Sequence, residues 1–155
     1  MRHLPIASLL AVVVVAGHAP RTAVAAIPAD DACALLSPAD IAKAISWKVG
    51  AGTAAPSIPG ILGKCTWTMS ENARVIVTLS DARHADFALQ AEASTGAKPV
   101  AGLGTKAVSW PATDLTGGWI VTVEDAKGGF GVSVLSRSAT TADAIALAKV
   151  VEGRR

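Results

Sequence analysis

The residues able to do chemistry are few. Cys33 and Cys65 are the only cysteines, and together they could form a disulfide, a redox pair or half of a metal site. A Ser–His–acid relay needs an imidazole to carry the proton. Of the three histidines, His3 and His18 lie in an N-terminal leader, so His84 alone is available. It sits early in a helical stretch beside Arg83 and Asp86 and reads as a solvent-facing helix residue. Two adjacent carboxylates, Glu124-Asp125, could share acid–base work, yet they fall at a hairpin turn, where acids ordinarily sit in water. Gly50-x-Gly52 lacks the third glycine of a phosphate loop, and Gly102-x-Gly104 has no preceding strand and following helix. Both read as turns. No catalytic residue, cofactor or metal is expected.

The leader itself is legible. Met1-Arg2-His3 precedes an apolar run whose core, Ile6–Ala16, is 11 residues long, short of the roughly 20 needed to span a bilayer. Ala23-Val24-Ala25 then offers small residues at the positions a signal peptidase reads. The expectation is a signal peptide over 1–25 and a single exported domain over 26–155, periplasmic or secreted. Asp30-Asp31-Ala32 before Cys33 is unlike a lipid-attachment site, so a lipoprotein is not expected.

Removing the leader changes the electrostatics. The whole chain of 155 residues has 14 basic and 12 acidic residues. Arg2 and Arg21 leave with the leader, which makes the mature charge zero. Neither a nucleic-acid partner nor stable membrane insertion is implied. Charged residues make up only 17% of the chain and hydrophobic ones 51%, a composition that excludes charge-driven disorder.

In an exported domain an even cysteine pair reads as a disulfide. A metal site needs three or four ligands, which one histidine cannot complete. A redox pair is more often Cys-x-x-Cys.

The elements that would position these residues follow from caps and periodicity. Ser37-Pro38-Ala39-Asp40 predicts a helix from Pro38 to about Ser46. Lys48–Lys64, with its Gly and Pro, reads as a long loop in which Val49 could start a brief strand. Cys65–Met69 alternates, with Cys65, Trp67 and Met69 on one face, and Arg74–Ser80 alternates again. With Glu71-Asn72 as the turn, they form a hairpin. Ser80 or Asp81 caps a helix to about Ser94, using Ala85, Ala88 and Leu89, and Gly96 closes it. Strands follow at Lys106–Trp110, Trp119–Glu124 and Gly129–Ser136, with a loop over Pro111–Gly118. Thr140 or Thr141 caps a last helix from Ala142 to about Glu152. The predicted fold is α+β in two layers, a largely antiparallel sheet of about five strands with helices on one face. Its order is α-β-β-α-β-β-β-α.

Four Trp and no Tyr stand out among the aromatics. Trp67 and Trp119 belong to strands and read as core. Trp47 and Trp110 lie at element edges, where an indole can line a groove as readily as fill a core. With Ile58, Ile61 and Leu62 from the long loop they form the candidate binding surface. The competing reading has that loop simply covering a face of the sheet.

Cys33-x-Leu35-Leu36-Ser37-Pro38-Ala39-Asp40-Ile41, Cys65-x-Trp67, Gly102-Leu103-Gly104 and an Ala-rich last helix with Ala148-Lys149 form a familiar series. It resembles a broad group of small bacterial exported proteins and lipoproteins of unknown function. More loosely, it is similar to the extracytoplasmic sensor domain of bacterial receptor Ser/Thr kinases. The resemblance implies a Cys33–Cys65 bridge and an extracytoplasmic domain without established enzymatic activity. The chain departs from the lipoproteins in lacking a lipid-bearing cysteine, and from the sensors in lacking a kinase and a second disulfide.

The functional expectation is an exported, non-enzymatic binding module for a small apolar molecule, a peptide or a partner protein. A second reading is a protein inhibitor of a secreted or periplasmic enzyme, and a third is a hydrolase using the carboxylates of Glu124 and Asp125.

Overall fold

Two reciprocal caps set the helices that frame the molecule. In the computed structural model, which describes residues 30–93, 96–113 and 115–155, the Ser37 side chain accepts the Asp40 amide, and the Asp40 carboxylate accepts the Ser37 amide at 2.7 Å. This capping box starts α2 (Pro38–Ile45). The same device at Thr140 and Asp143 starts α4 (Thr141–Glu152). A short helix not expected from the sequence, α1 (Asp30–Ala34), carries Cys33. The expected leader and its cleavage site lie outside the described residues.

The strands are β1 (Thr53–Ala55), β2 (Ile61–Ser70), β3 (Ala73–Ser80), β4 (Lys98–Pro99), β5 (Lys106–Pro111), β6 (Trp119–Asp125) and β7 (Gly128–Leu135). Helix α3 (Ala82–Ala93) joins β3 to β4. All pairings are antiparallel, in the order β1-β2-β3-β7-β6-β5-β4. The α+β class and the antiparallel sheet agree with the sequence reading. Among the described residues the strand count is corrected from about five to seven, and the element order is α-α-β-β-β-α-β-β-β-β-α.

Both added strands are short edges with little periodicity of their own. β1 lies inside the stretch read as a loop and pairs Thr53 with Thr66, Ala54 with Cys65 and Ala55 with Lys64. β4 ends in Pro99, which has no amide hydrogen to give and is accommodated at an edge. Val49 starts no strand; it packs half-buried against the core. The hairpin strand β2 also begins earlier than expected, at Ile61.

One face of the sheet carries Cys65, Trp67, Val75, Val77, Leu79, Val121, Val123, Phe130, Val132 and Val134, all buried. Against it pack Leu36, Ile41 and Ile45 from the α2 region and Ala144, Leu147, Ala148 and Val151 from α4. The Cys33–Cys65 disulfide, with Cα atoms 5.1 Å apart, fastens α1 to the middle of β2. Met69 does not share this face with Cys65 and Trp67. The register shifts between Thr68 and Ser70, and Met69 lies exposed beside the hairpin turn.

The expectation of helices on one face is corrected as well. Gly129 pairs with Ser80 on the face opposite Phe130, and a Cβ built on Gly129 would lie 2.3 Å from the Ala85 Cβ. Helix α3 therefore rests on the second face, with Ala85 and Leu89 buried beneath it. The periodicity of a helix shows that it has an apolar stripe and leaves open which side of a sheet receives it. Among the described residues, no helix is long and apolar enough to cross a membrane.

Candidate functional site

The second face is only partly covered. The cross-strand register places Val108, Thr122, Gly131, Thr78 and Lys64 in one row, and Trp110, Ile120, Ser133, Ile76 and Thr66 in the next. Helix α3 roofs the β5–β7 end of the first row and leaves the second row half-exposed. Between helix and sheet runs a groove of ≈ 190 Å³. His84 and Ala88, one helical turn apart, form its wall. Thr78, Thr122, Gly131 and Ser133 belong to its floor, while Trp110, Ile120 and Ile61 supply its apolar surface.

Local geometry explains how α3 comes to stand there. Asp81 caps it, its Oδ1 accepting the His84 amide at 2.8 Å. The Asp81 amide donates to the Gly60 carbonyl at 3.2 Å, tying the helix start to the turn before β2. Gly60 has φ +85°, and a Cβ there would lie 2.8 Å from His84 Nδ1, so the imidazole packs directly against its backbone. His84 is thus half-buried in the groove wall, where a solvent-facing helix residue had been expected.

The five residues named from the sequence divide between the two faces. Ile61 and Trp110 line the groove. Trp47 and Leu62 pack half-buried against the core on the opposite face. A β-bulge causes the separation of neighbours: Ile61 pairs with Ser80, Gly63 pairs with Leu79, and Leu62 is the extra residue between them. Ile58 is 61% exposed and flanks the tight turn at Pro59-Gly60. There the Ile58 and Ile61 amides donate to each other's carbonyls at 3.0 and 2.9 Å, and Ser57 Oγ donates to the Leu62 carbonyl at 2.5 Å.

The groove residues missed by the sequence reading are Thr78, Ile120, Thr122, Gly131 and Ser133. The sequence assigned all five to strands without a role. Nothing local marked that α3 would come down beside them.

The other chemistry-bearing residues have structural partners. The Asp125 carboxylate lies 3.3 Å from Arg155 Nε and accepts the Lys127 amide at 2.8 Å. Arg155 also donates to the Gly129 carbonyl at 2.8 Å, with its guanidinium 5.1 Å from the Phe130 ring centroid. Burial pulls the pKa of this guanidinium down and Asp125 pushes it back up. Asp40 is the strongly shifted carboxylate. Its hydrogen bond from Ser37 and its contact with Arg154, at 2.7 Å, bring its pKa from 3.8 to about 2. Among the described residues, no three His, Cys, Asp or Glu side chains cluster as a metal site would require.

A second hollow of ≈ 370 Å³ opens at the other end of the molecule, with Met69, Asn72, Leu115 and Arg137 on its walls. It is built from a hairpin tip and a loop, whereas the groove is built on sheet and helix, the more rigid support for a site.

Comparison of the chain with protein-family models, with curated proteins and with solved structures finds no match.

Proposed function

We propose that this chain is an exported, non-enzymatic binding module whose site is the groove between α3 and the second face of the sheet. The observation that carries the reading is the convergence of Trp110, Ile120 and Ile61 with the hydroxyls of Thr78 and Ser133 in one concavity. An apolar lining with a few placed polar groups is the usual make-up of a small-molecule site. At ≈ 190 Å³ the groove falls below the roughly 300–1,000 Å³ of drug-sized sites. It suits a single ring, a short chain or one side chain of a larger partner. The Cys33–Cys65 disulfide and the signal-peptide pattern over 1–25 support export, as does the resemblance to small exported proteins carrying Cys-x-Leu-Leu and Cys-x-Trp. The test is native mass spectrometry of protein recovered from the exported fraction, without reductant. A small-molecule adduct that is lost on Trp110→Ala supports the reading. An adduct retained in that variant removes the groove from it.

The second reading, a protein inhibitor of an exported enzyme, is favoured by Ile58. An exposed apolar residue flanking a hydrogen-bonded turn, close in sequence to the disulfide at Cys65, suits a rigid inhibitory loop. It expects a stoichiometric protein complex in the same spectra, abolished by Ile58→Asp.

A further inference from the structure

From the charge around the groove, we infer that its ligand is a small organic anion, an apolar body of one ring or a short alkyl chain ending in a carboxylate. This rests on the groove being the binding site. Strands β1, β2, β3, β5 and β7 contain Lys64, Arg74 and Lys106 but no Asp or Glu. The acids of the sheet, Glu124 and Asp125, stand together at the far end of β6, where Glu124 pairs across the strands with Lys106 and Asp125 meets Arg155. Glu124 shares the second face with Lys106, at the end covered by α3, and Asp81 caps that helix beside His84, while the part of the face built by β7, β3 and β2 carries Lys64 and Arg74 and no acid.

Lys64 is the cation placed to act. It lies in the row of Thr78 and Gly131, is half-buried, and makes no ion pair or hydrogen bond through its side chain among the described residues. A lysine whose stem packs on the sheet and whose ammonium has no partner is available to hold an anion at the groove's edge. His84, on the groove wall, adds a ring N–H donor and no negative charge. Reach is consistent with this assignment. Ile120 and Lys64 are three strand spacings and one row apart, about 16 Å. The lysine stem closes part of that distance, and a body of five or six carbons lying over Gly131 and Ser133 closes the rest.

The experiment is titration of the disulfide-intact, ¹⁵N-labelled protein with hexanoate, 1-hexanol and hexylamine, followed at backbone amides. Hexanoate is expected to shift Gly131, Ser133 and Ile120 and to bind about 5–10-fold more tightly than hexanol, the scale of one partly screened charge contact. Hexylamine should be weakest. In Lys64→Gln, whose unperturbed spectrum elsewhere reports intact folding, the carboxylate-to-alcohol ratio should fall to about one. Equal affinities for the three probes, or a ratio unchanged in Lys64→Gln, would overturn the anion assignment while leaving the groove as a site. Shifts confined to residues away from the groove, or no shifts with any probe, would overturn the groove itself and the anion assignment with it.

Discussion

Ala85 of α3 sits directly over Gly129 of β7, so close that a methyl group at position 129 would lie 2.3 Å from the alanine Cβ. That contact sets the height of the helix above the sheet and so the depth of the groove beside it. The same glycine offers its carbonyl to Arg155, so the helix seat and the contact of Arg155 beyond α4 meet at one residue.

Gly129→Ala should therefore cost about 1–3 kcal/mol, the range for overpacking a filled contact. Urea denaturation would read the loss. Amide shifts in α3 and at Gly131 should accompany it, because the helix must rise to admit the methyl. Gly131→Ala, whose added Cβ would meet its nearest atoms only at 3.9 Å, should be much milder.

The two faces of the sheet make opposite predictions for tryptophan. Trp67 is 1% exposed within the core, and Trp67→Ala should cost about 3–5 kcal/mol. Trp110 is half-exposed in the groove. Trp110→Ala should cost less than half as much, by the same urea titration, while weakening hexanoate binding. A reversed order would place the functional indole on the other face.

Reducing or replacing the Cys33–Cys65 bridge should lower stability by roughly 3–4 kcal/mol on the chain-entropy model for a loop of this size. The comparison is between the wild type and Cys33→Ala/Cys65→Ala, both unfolded in urea. Because Cys65 is fully buried behind α1, amides of α1 and β1 should lose protection from hydrogen exchange first.

Asp40 predicts a specific acid response. Its pKa is lowered from 3.8 to about 2 in the folded state by the hydrogen bond from Ser37 and by Arg154. A depressed carboxylate stabilises the fold above the unfolded pKa and ceases to do so as pH falls through the folded one. The contribution should be complete above about pH 5 and disappear between about pH 4 and 2. With the carboxylate side chain 21% exposed and that of Arg154 41% exposed, solvent screening holds the effect to about 1 kcal/mol. In Asp40→Asn this part of the pH dependence should vanish, seen as a flatter plot of unfolding free energy between pH 5 and 2.

Local signals in the chain were sufficient for several features. The Ser37-Pro38-Ala39-Asp40 cap placed one helix, and Thr140 or Thr141 placed the start of the last to within a residue, because a cap is chemistry between residues close in the chain. The alternation of Arg74–Ser80 placed its strand because a pleat has period two. The even cysteine count in an expected exported domain led to the bridge. The edges β1 and β4 were not legible, since two- or three-residue strands carry too little pattern to stand above a loop.

The antiparallel α+β plan, the apolar stripes and the disulfide depend on neighbours or on counting, and the order of residues is enough to show them. Which face each stripe covers was settled by packing. The bulge at Leu62 sends Ile61 to one side and Leu62 to the other, and the missing side chain at Gly129 lets α3 settle on the second face. Trp110 and Ile61 therefore meet in one groove while Trp47 and Leu62 join the core. The physical reason is that sidedness is a property of packing between elements distant in the chain. Amphipathic periodicity records that a face must be buried, and contact alone selects the partner that buries it.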